Sequence, residues 1–167
     1  MERDVDDVAA DAGWDRDARD ETPIERLDRN WGDLLQELRV VQTGVQLLTG
    51  LLLTVPFQSR FDDLTGTQRV LYLVTLSLSA AATGMLIAPV AMHRVLFRQH
   101  ARAELVGAGQ RFAIGGLTLL GLAVTGVVVL IFDVVAGMTA AIVAGVVCLV
   151  VFGLLWAAIP LILRART

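Results

Sequence analysis

The chain lacks lysine altogether and holds one cysteine, two histidines and few aromatic side chains among its 167 residues. Cys148 stands alone inside an apolar run, which excludes an internal disulfide and a cysteine-based metal site. The sequence contains no phosphate-binding lysine loop, no HExxH motif and no GxSxG motif. We therefore expect no catalytic site, no metal site and no cofactor, and we predict that the protein is not an enzyme.

Apolar residues make up 55% of the chain, glycine occurs 15 times, and the mean hydropathy is +0.64. This composition is too apolar for a soluble protein and is typical of transmembrane helices that pack through small residues. Four runs carry no charge, at about 40–58, 70–92, 112–132 and 135–163. Because about 20 apolar residues cross a bilayer core, each run predicts one span. We therefore predict an all-α, polytopic integral membrane protein with four transmembrane helices.

Two segments precede the first span. Residues 1–22 hold nine acidic side chains and few large apolar ones, so we expect a disordered acidic tail. Residues 23–39 repeat apolar side chains at helical spacing, and Thr22 and Glu25 fit a capping box, which predicts an amphipathic helix. This helix either lies on the membrane surface or continues into the first span. Together with the four spans it forms one predicted domain, 23–167, whose first span acts as an uncleaved insertion signal.

Small residues recur every four positions in two of the spans, which predicts ridges where neighbouring helices approach closely. The second span carries Ala80, Gly84 and Ala88. In the fourth span, small residues line one side of the helix: Gly137, Ala141, Gly145, Gly153 and Ala157. We place Asp133 at a tight turn between the third and fourth spans.

The arginines are unevenly distributed. Twelve of the 14 lie before the first span, in residues 93–111 or at the C-terminus, whereas two follow the first span. By the positive-inside rule, we expect a location in the cytoplasmic membrane with both termini in the cytoplasm. His93 and Arg94 then lie at the cytoplasmic membrane edge, where anchoring explains them better than metal binding.

The first span alone carries large polar side chains. Helical spacing places five residues on roughly one face of it: Arg39, Gln42, Thr43, Gln46 and Thr49. No ionisable group lies deep in any span, since Glu37 and Arg39 are at the cytoplasmic edge and Asp133 is at the outer edge. The face is either a set of hydrogen bonds between helices or a polar pathway for an ion or solute. In both cases we expect Gln42 and Gln46 to point into the bundle, since lipid offers an amide no partner.

Two stretches resemble a family of small four-span bacterial membrane proteins of unknown function. They are residues 30–61, NWGDLLQELRVVQTGVQLLTGLLLTVPFQSRF, and residues 88–98, APVAMHRVLFR. The resemblance covers about 30–160 and implies four spans. Some members of that family carry a sodium:proton antiporter label, which conflicts with the lack of a carboxylate inside the spans.

Two functions follow as expectations. The first is a non-enzymatic scaffold or accessory protein of the membrane. The alternative is a small secondary transporter that acts as an oligomer, since four spans enclose little pathway on their own. We expect the partners to be the lipid bilayer and further copies of the chain, and we expect no nucleic-acid partner.

Overall fold

The computed structural model describes residues 23–96 and 102–164, and the predicted tail 1–22 lies outside these residues. The described part is helical, with two short 3₁₀ turns between the first two helices. The helices are α1 (Pro23–Thr54), α2 (Gly66–Leu96), α3 (Arg102–Ala136), α4 (Met138–Gly153) and α5 (Ile159–Arg164). The 3₁₀ turns are Val55–Phe57 and Phe61–Asp63, and a π-helical turn, Leu154–Ala158, joins α4 to α5.

Four segments of the described chain are long and apolar enough to cross a membrane, which confirms an all-helical fold with four candidate membrane-spanning helices. They are Arg29–Phe57, Gly66–Met92, Gly107–Ala136 and Met138–Leu163. The segment 23–39 is the beginning of α1, which continues into the first span without a break. In the arginine-containing stretch 93–111, residues 93–96 and 102–111 are also helical, because α2 and α3 extend beyond the uncharged runs of the second and third spans.

The core residues of α1, α2 and α3 alternate spacings of three and four, as in left-handed helical bundles. The row on α1 and the 3₁₀ turn after it consists of buried or half-buried residues: Trp31, Leu34, Leu38, Val41, Val45, Leu48, Leu52 and Val55. In α2 the buried residues are Tyr72, Thr75, Ser79, Ala82, Leu86 and Pro89. The row on α3 consists of the buried Gly109, Ala113, Gly116, Ala123 and Leu130 and the half-buried Leu120 and Val127. These three rows, which we call the seam, meet in a shared core made of two clusters, one around Val45 and Leu86 and one around Leu52 and Tyr72.

The seam is tight because α3 contributes small residues to it. A Cβ atom at Gly116 would lie 2.7 Å from Cγ of Leu86, and one at Gly109 would lie 2.8 Å from the ring of Trp31. Since real Cβ atoms do not approach that closely, glycine is what allows the large side chains of α1 and α2 to reach α3.

Helix α4 packs on the outside of this three-helix core, chiefly against α3. Ala141 and Gly145 are buried there, and a Cβ atom at Gly145 would lie 2.6 Å from Cγ2 of Val129. The predicted ridge on the fourth span is therefore confirmed at these two positions. Three exposed positions contradict the predicted ridge: Gly137, Gly153 and Ala157.

Two further expectations are wrong in detail. The chain turns at Gly137, whose φ of 86° suits glycine, and Asp133 lies one turn earlier, still inside α3. On the second span, Ala80 and Gly84 are exposed, because α2 turns the face with Ser79 and Leu86 toward the core. The spacing of small residues in the sequence did not show whether α2 buries the face with Ala80 and Gly84 or the face with Ser79 and Leu86.

We predict that Gly145→Leu destabilises the protein by about 1–3 kcal/mol, because the added side chain overlaps Val129 and forces α4 away from α3. Gly153→Leu is the matched control, since a Cβ atom at Gly153 would meet nothing within 4 Å. Thermal unfolding in detergent measures both changes. Equal losses of stability would show that Gly145 is not a close-packing position.

Candidate functional site

Three hydroxyl side chains form a cluster between α1 and α2, which we call the hydroxyl cluster: Thr49, Ser79 and Thr83. Oγ1 of Thr49 lies 2.7 Å from Oγ of Ser79 and 3.4 Å from Oγ1 of Thr83. Ser79 is completely buried. Ser79 belongs to the seam row of α2, and Thr49 lies beside the seam row of α1. The two side chains therefore meet where these helices pack.

One assignment of donors and acceptors satisfies all the hydrogen bonds of the hydroxyl cluster. The Thr49 hydroxyl donates to the Val45 carbonyl at 2.8 Å, and the Thr83 hydroxyl donates to the Ser79 carbonyl at 2.9 Å. A hydroxyl has one proton, so Ser79 is the donor and Thr49 the acceptor in the bond between the helices. Each hydroxyl of the cluster is therefore bonded within the protein.

Gln42 makes a second connection between α1 and α2. Its Nε2 donates to the carbonyl oxygen of Leu86 at 2.7 Å. Leu86 lies three residues before Pro89, which is buried inside α2. A proline inside a helix has no N–H, so the carbonyl that loses its helical donor is that of Met85, four residues before Pro89, and not that of Leu86. Gln42 thus adds a hydrogen bond from α1 to the carbonyl next to the one that the proline leaves without a helical donor.

Hydroxyls on α2 and α3 bond mainly within their own helices. Thr75 donates to the Leu71 carbonyl and Thr125 to the Gly121 carbonyl, each at 2.8 Å. The Thr125 hydroxyl also lies 3.4 Å from Sγ of Cys148 on α4. Local bonds of this kind allow a hydroxyl to be buried between helices with its proton satisfied.

A second group of polar contacts ties α1, α2 and their connection together at the end of the bundle that holds residues 55–65. The hydroxyl of Tyr72 donates to the Leu52 carbonyl at 2.8 Å, and the Phe61 ring packs edge-on against Tyr72 at 5.5 Å. Arg69 donates to the Asp62 carbonyl at 2.9 Å and lies 5.8 Å from the centre of the Phe61 ring.

Asp133 belongs to the same end of the bundle. Thr65 and Gln68 form a capping box at the start of α2: the Thr65 N–H donates to Oε1 of Gln68, and the Gln68 N–H donates to Oγ1 of Thr65. Gln68 also donates through Nε2 to Oδ2 of Asp133 at 2.9 Å. The half-buried carboxylate of Asp133 thus joins α3 to the first turn of α2.

An apolar cavity of about 310 Å³ lies near these contacts, between the end of α1, the connection and the end of α3. Its lining includes Leu52, Val55, Phe61, Leu64, Leu130 and Val134. Only Gln58 and Arg60 bring polar side chains to it. The cavity therefore has no constellation of polar groups suited to chemistry.

The predicted polar face of α1 is divided by the structure. Gln42 and Thr49 each lie four residues after a seam residue and therefore turn toward α2, whereas Arg39, Thr43 and Gln46 are exposed. The expectation that both glutamines point into the bundle is confirmed for Gln42 and wrong for Gln46. The five residues span too wide an angle for all of them to reach one neighbouring helix.

The other predicted ionisable residues do not converge on a site. Glu37 is exposed near the beginning of the first span, and Asp133 is at the opposite end of the bundle. The side chains of His93 and Arg94 lie outside what the structure describes. Within the described residues, no three His, Cys, Asp or Glu side chains come close enough to hold a metal ion.

Sequence reasoning missed Ser79, Thr83 and Gln68. Ser79 falls in the three-and-four spacing of α2, and that spacing was a usable signal. Gln68 follows Thr65 by three residues, which is the capping-box spacing at a helix start. Nothing in the sequence predicted that Gln68 would reach Asp133, because that contact depends on how α2 and α3 pack.

We predict that the bond between Thr49 and Ser79 contributes measurably to stability. Comparing Thr49→Val, Ser79→Ala and the double variant should give a coupling energy of about 0.6–1.7 kcal/mol, the range for hydrogen bonds between membrane helices. The measurement is the free energy of unfolding in mixed detergent micelles. Thr118→Val is the control, since its exposed hydroxyl bonds only to the Ile114 carbonyl of its own helix. A coupling energy near zero would contradict this prediction.

Comparison with known proteins places the chain in a family. No curated protein and no solved structure matches it. The family DUF6328, described as a family of unknown function, matches residues 20–160, which include α1 to α4 with the hydroxyl cluster, Gln42 and Asp133. The chain belongs to the DUF6328 family of unknown function.

Proposed function

We propose that this protein is a non-enzymatic scaffold or accessory protein of the membrane. The observation that supports this role is the closed hydrogen bonding between α1 and α2. Ser79 bonds Thr49, and Gln42 bonds the Leu86 carbonyl, so these groups hold helices together. Polar side chains that line a transport pathway instead face water or a solute.

The positions of the charged groups support the same proposal. Transport coupled to protons or sodium usually depends on an ionisable side chain inside the membrane. In the described residues, Glu37 and Arg39 are exposed toward the start of the first span, and Asp133 accepts a hydrogen bond from Gln68 at the other end. We propose the cytoplasmic membrane as the location, with both termini in the cytoplasm, from the arginine distribution.

One observation favours the alternative, a small secondary transporter that acts as an oligomer. Gln46 is exposed on α1, so a pathway between copies of the chain would place its amide on the pathway. The two functions differ in what happens to solutes. A scaffold leaves the membrane sealed, whereas a transporter moves an ion or solute across it.

Reconstitution into liposomes tests the proposal. We predict that proton, sodium and cationic-drug fluxes equal those of empty vesicles, because the polar groups between α1 and α2 bond one another. Gln46→Leu provides the matched comparison. A flux that the wild-type protein supports, and that folded Gln46→Leu protein loses, would contradict the scaffold proposal and establish the transporter.

A further inference from the structure

The Gln46 side chain is exposed in the middle of the first span. It makes no hydrogen bond with any residue that the structure describes, in contrast to Gln42 one turn earlier. Gln46 lies eight residues before Thr54, the last residue of α1, a rise of about 12 Å. This depth is inside a hydrocarbon core of about 30 Å, where neither water nor lipid tails bond an amide. The amide of Gln46 therefore requires a partner outside the chain's own fold.

The residues next to Gln46 on this side of α1 are small. Thr43 and Gly50 lie about one turn before and after it, and both are exposed. A Cβ atom at Gly50 would meet nothing within 4 Å, so packing within the chain gives no reason for glycine there. Glycine is among the least favourable residues inside a helix, and in membranes it occurs where another backbone approaches closely. Gly50 and Gln46 thus point independently to the same contact.

We propose that α1 forms a homodimer contact centred on Gln46 and Gly50, with a second copy of this chain as the partner. An amide group has both a donor and an acceptor, so two Gln46 side chains can bond each other reciprocally. Copies inserted with the same topology hold Gln46 at the same depth, as a two-fold axis along the membrane normal requires. The Thr43 hydroxyl already donates to the Arg39 carbonyl, which leaves Gln46 as the specific polar contact.

The charge of Arg39 sets the geometry of this contact. Arg39 lies two turns before Gln46 on the same side of α1 and is exposed. Two parallel helices in full contact would bring the two guanidinium groups together, and like charges repel. The helices must therefore cross near Gln46 and Gly50 and separate toward Arg39. This contact is a property of the assembly and stands whether or not the scaffold proposal holds.

Cysteine cross-linking in membranes tests the contact. In a Cys148→Ala background, Thr43→Cys leaves Gln46 in place and should give a cross-linked dimer. Leu51→Cys is the control, since Leu51 is 67% exposed but lies on another side of α1. We expect Gln46→Leu, added to Thr43→Cys, to reduce the dimer. Equal cross-linking at positions 43 and 51, or cross-links only to proteins of other sizes, would overturn the proposal.

The affinity of the two copies provides a second measurement. Energy transfer between labelled copies in bilayers should show that Gln46→Leu raises the dimer dissociation constant roughly three- to thirty-fold, the effect of one or two amide hydrogen bonds between helices. Gln46→Asn, which keeps the amide, should restore part of the affinity. At dilutions where the protein is monomeric, thermal stability should not fall in Gln46→Leu, because Gln46 makes no bond within the described fold. An unchanged dissociation constant would contradict a contact through Gln46.

Discussion

The hydrogen bond from Ser79 to Thr49 is the interaction on which the arrangement of α1 and α2 depends. At 2.7 Å, between a completely buried serine and a threonine beside the seam of α1, it fixes the rotation of both helices. Rotating α1 by one residue would break this bond and would leave the Ser79 hydroxyl only a carbonyl of its own helix, the kind of partner that the Thr75 hydroxyl uses. The bond from Gln42 to Leu86 then holds the same rotation near the proline of α2.

Close packing by glycine complements this polar constraint. Gly109 and Gly116 let α3 approach Trp31 and Leu86, so that three helices share one core, and Gly145 lets α4 rest on Val129 of α3. Hydrophobic burial contributes little to helix association in lipid, so close packing and hydrogen bonds between helices stabilise the bundle instead. The result is a core of three helices with a fourth helix on its outside, in which polar groups hold neighbouring helices together.

The four spans were predictable because the uncharged runs are long, and bilayer thickness fixes the length of an apolar helix. The sites were only partly predictable. Gln42 and Gln46 look equivalent in the sequence, and their difference follows from the rotation of α1, which depends on residues of α2 far along the chain. Ala80 and Gly84 gave the clearest small-residue pattern of the second span and are exposed. The turn at Gly137 was misplaced at Asp133, because a charge in the sequence suggested a membrane edge, whereas the backbone turns where glycine permits a positive φ.

The central claim, that the hydroxyls between α1 and α2 bond one another rather than water and so hold the helices together, is tested most directly by chemical access to Ser79. Ser79→Cys changes one atom, and in a Cys148→Ala background it gives a single thiol inside the cluster. A water-soluble, thiol-reactive reagent applied to both sides of the membrane should leave this thiol unmodified, while Ser59→Cys in the exposed connection reacts readily. Rapid modification of the Ser79→Cys thiol in folded protein would show that water reaches the cluster, and would contradict the claim.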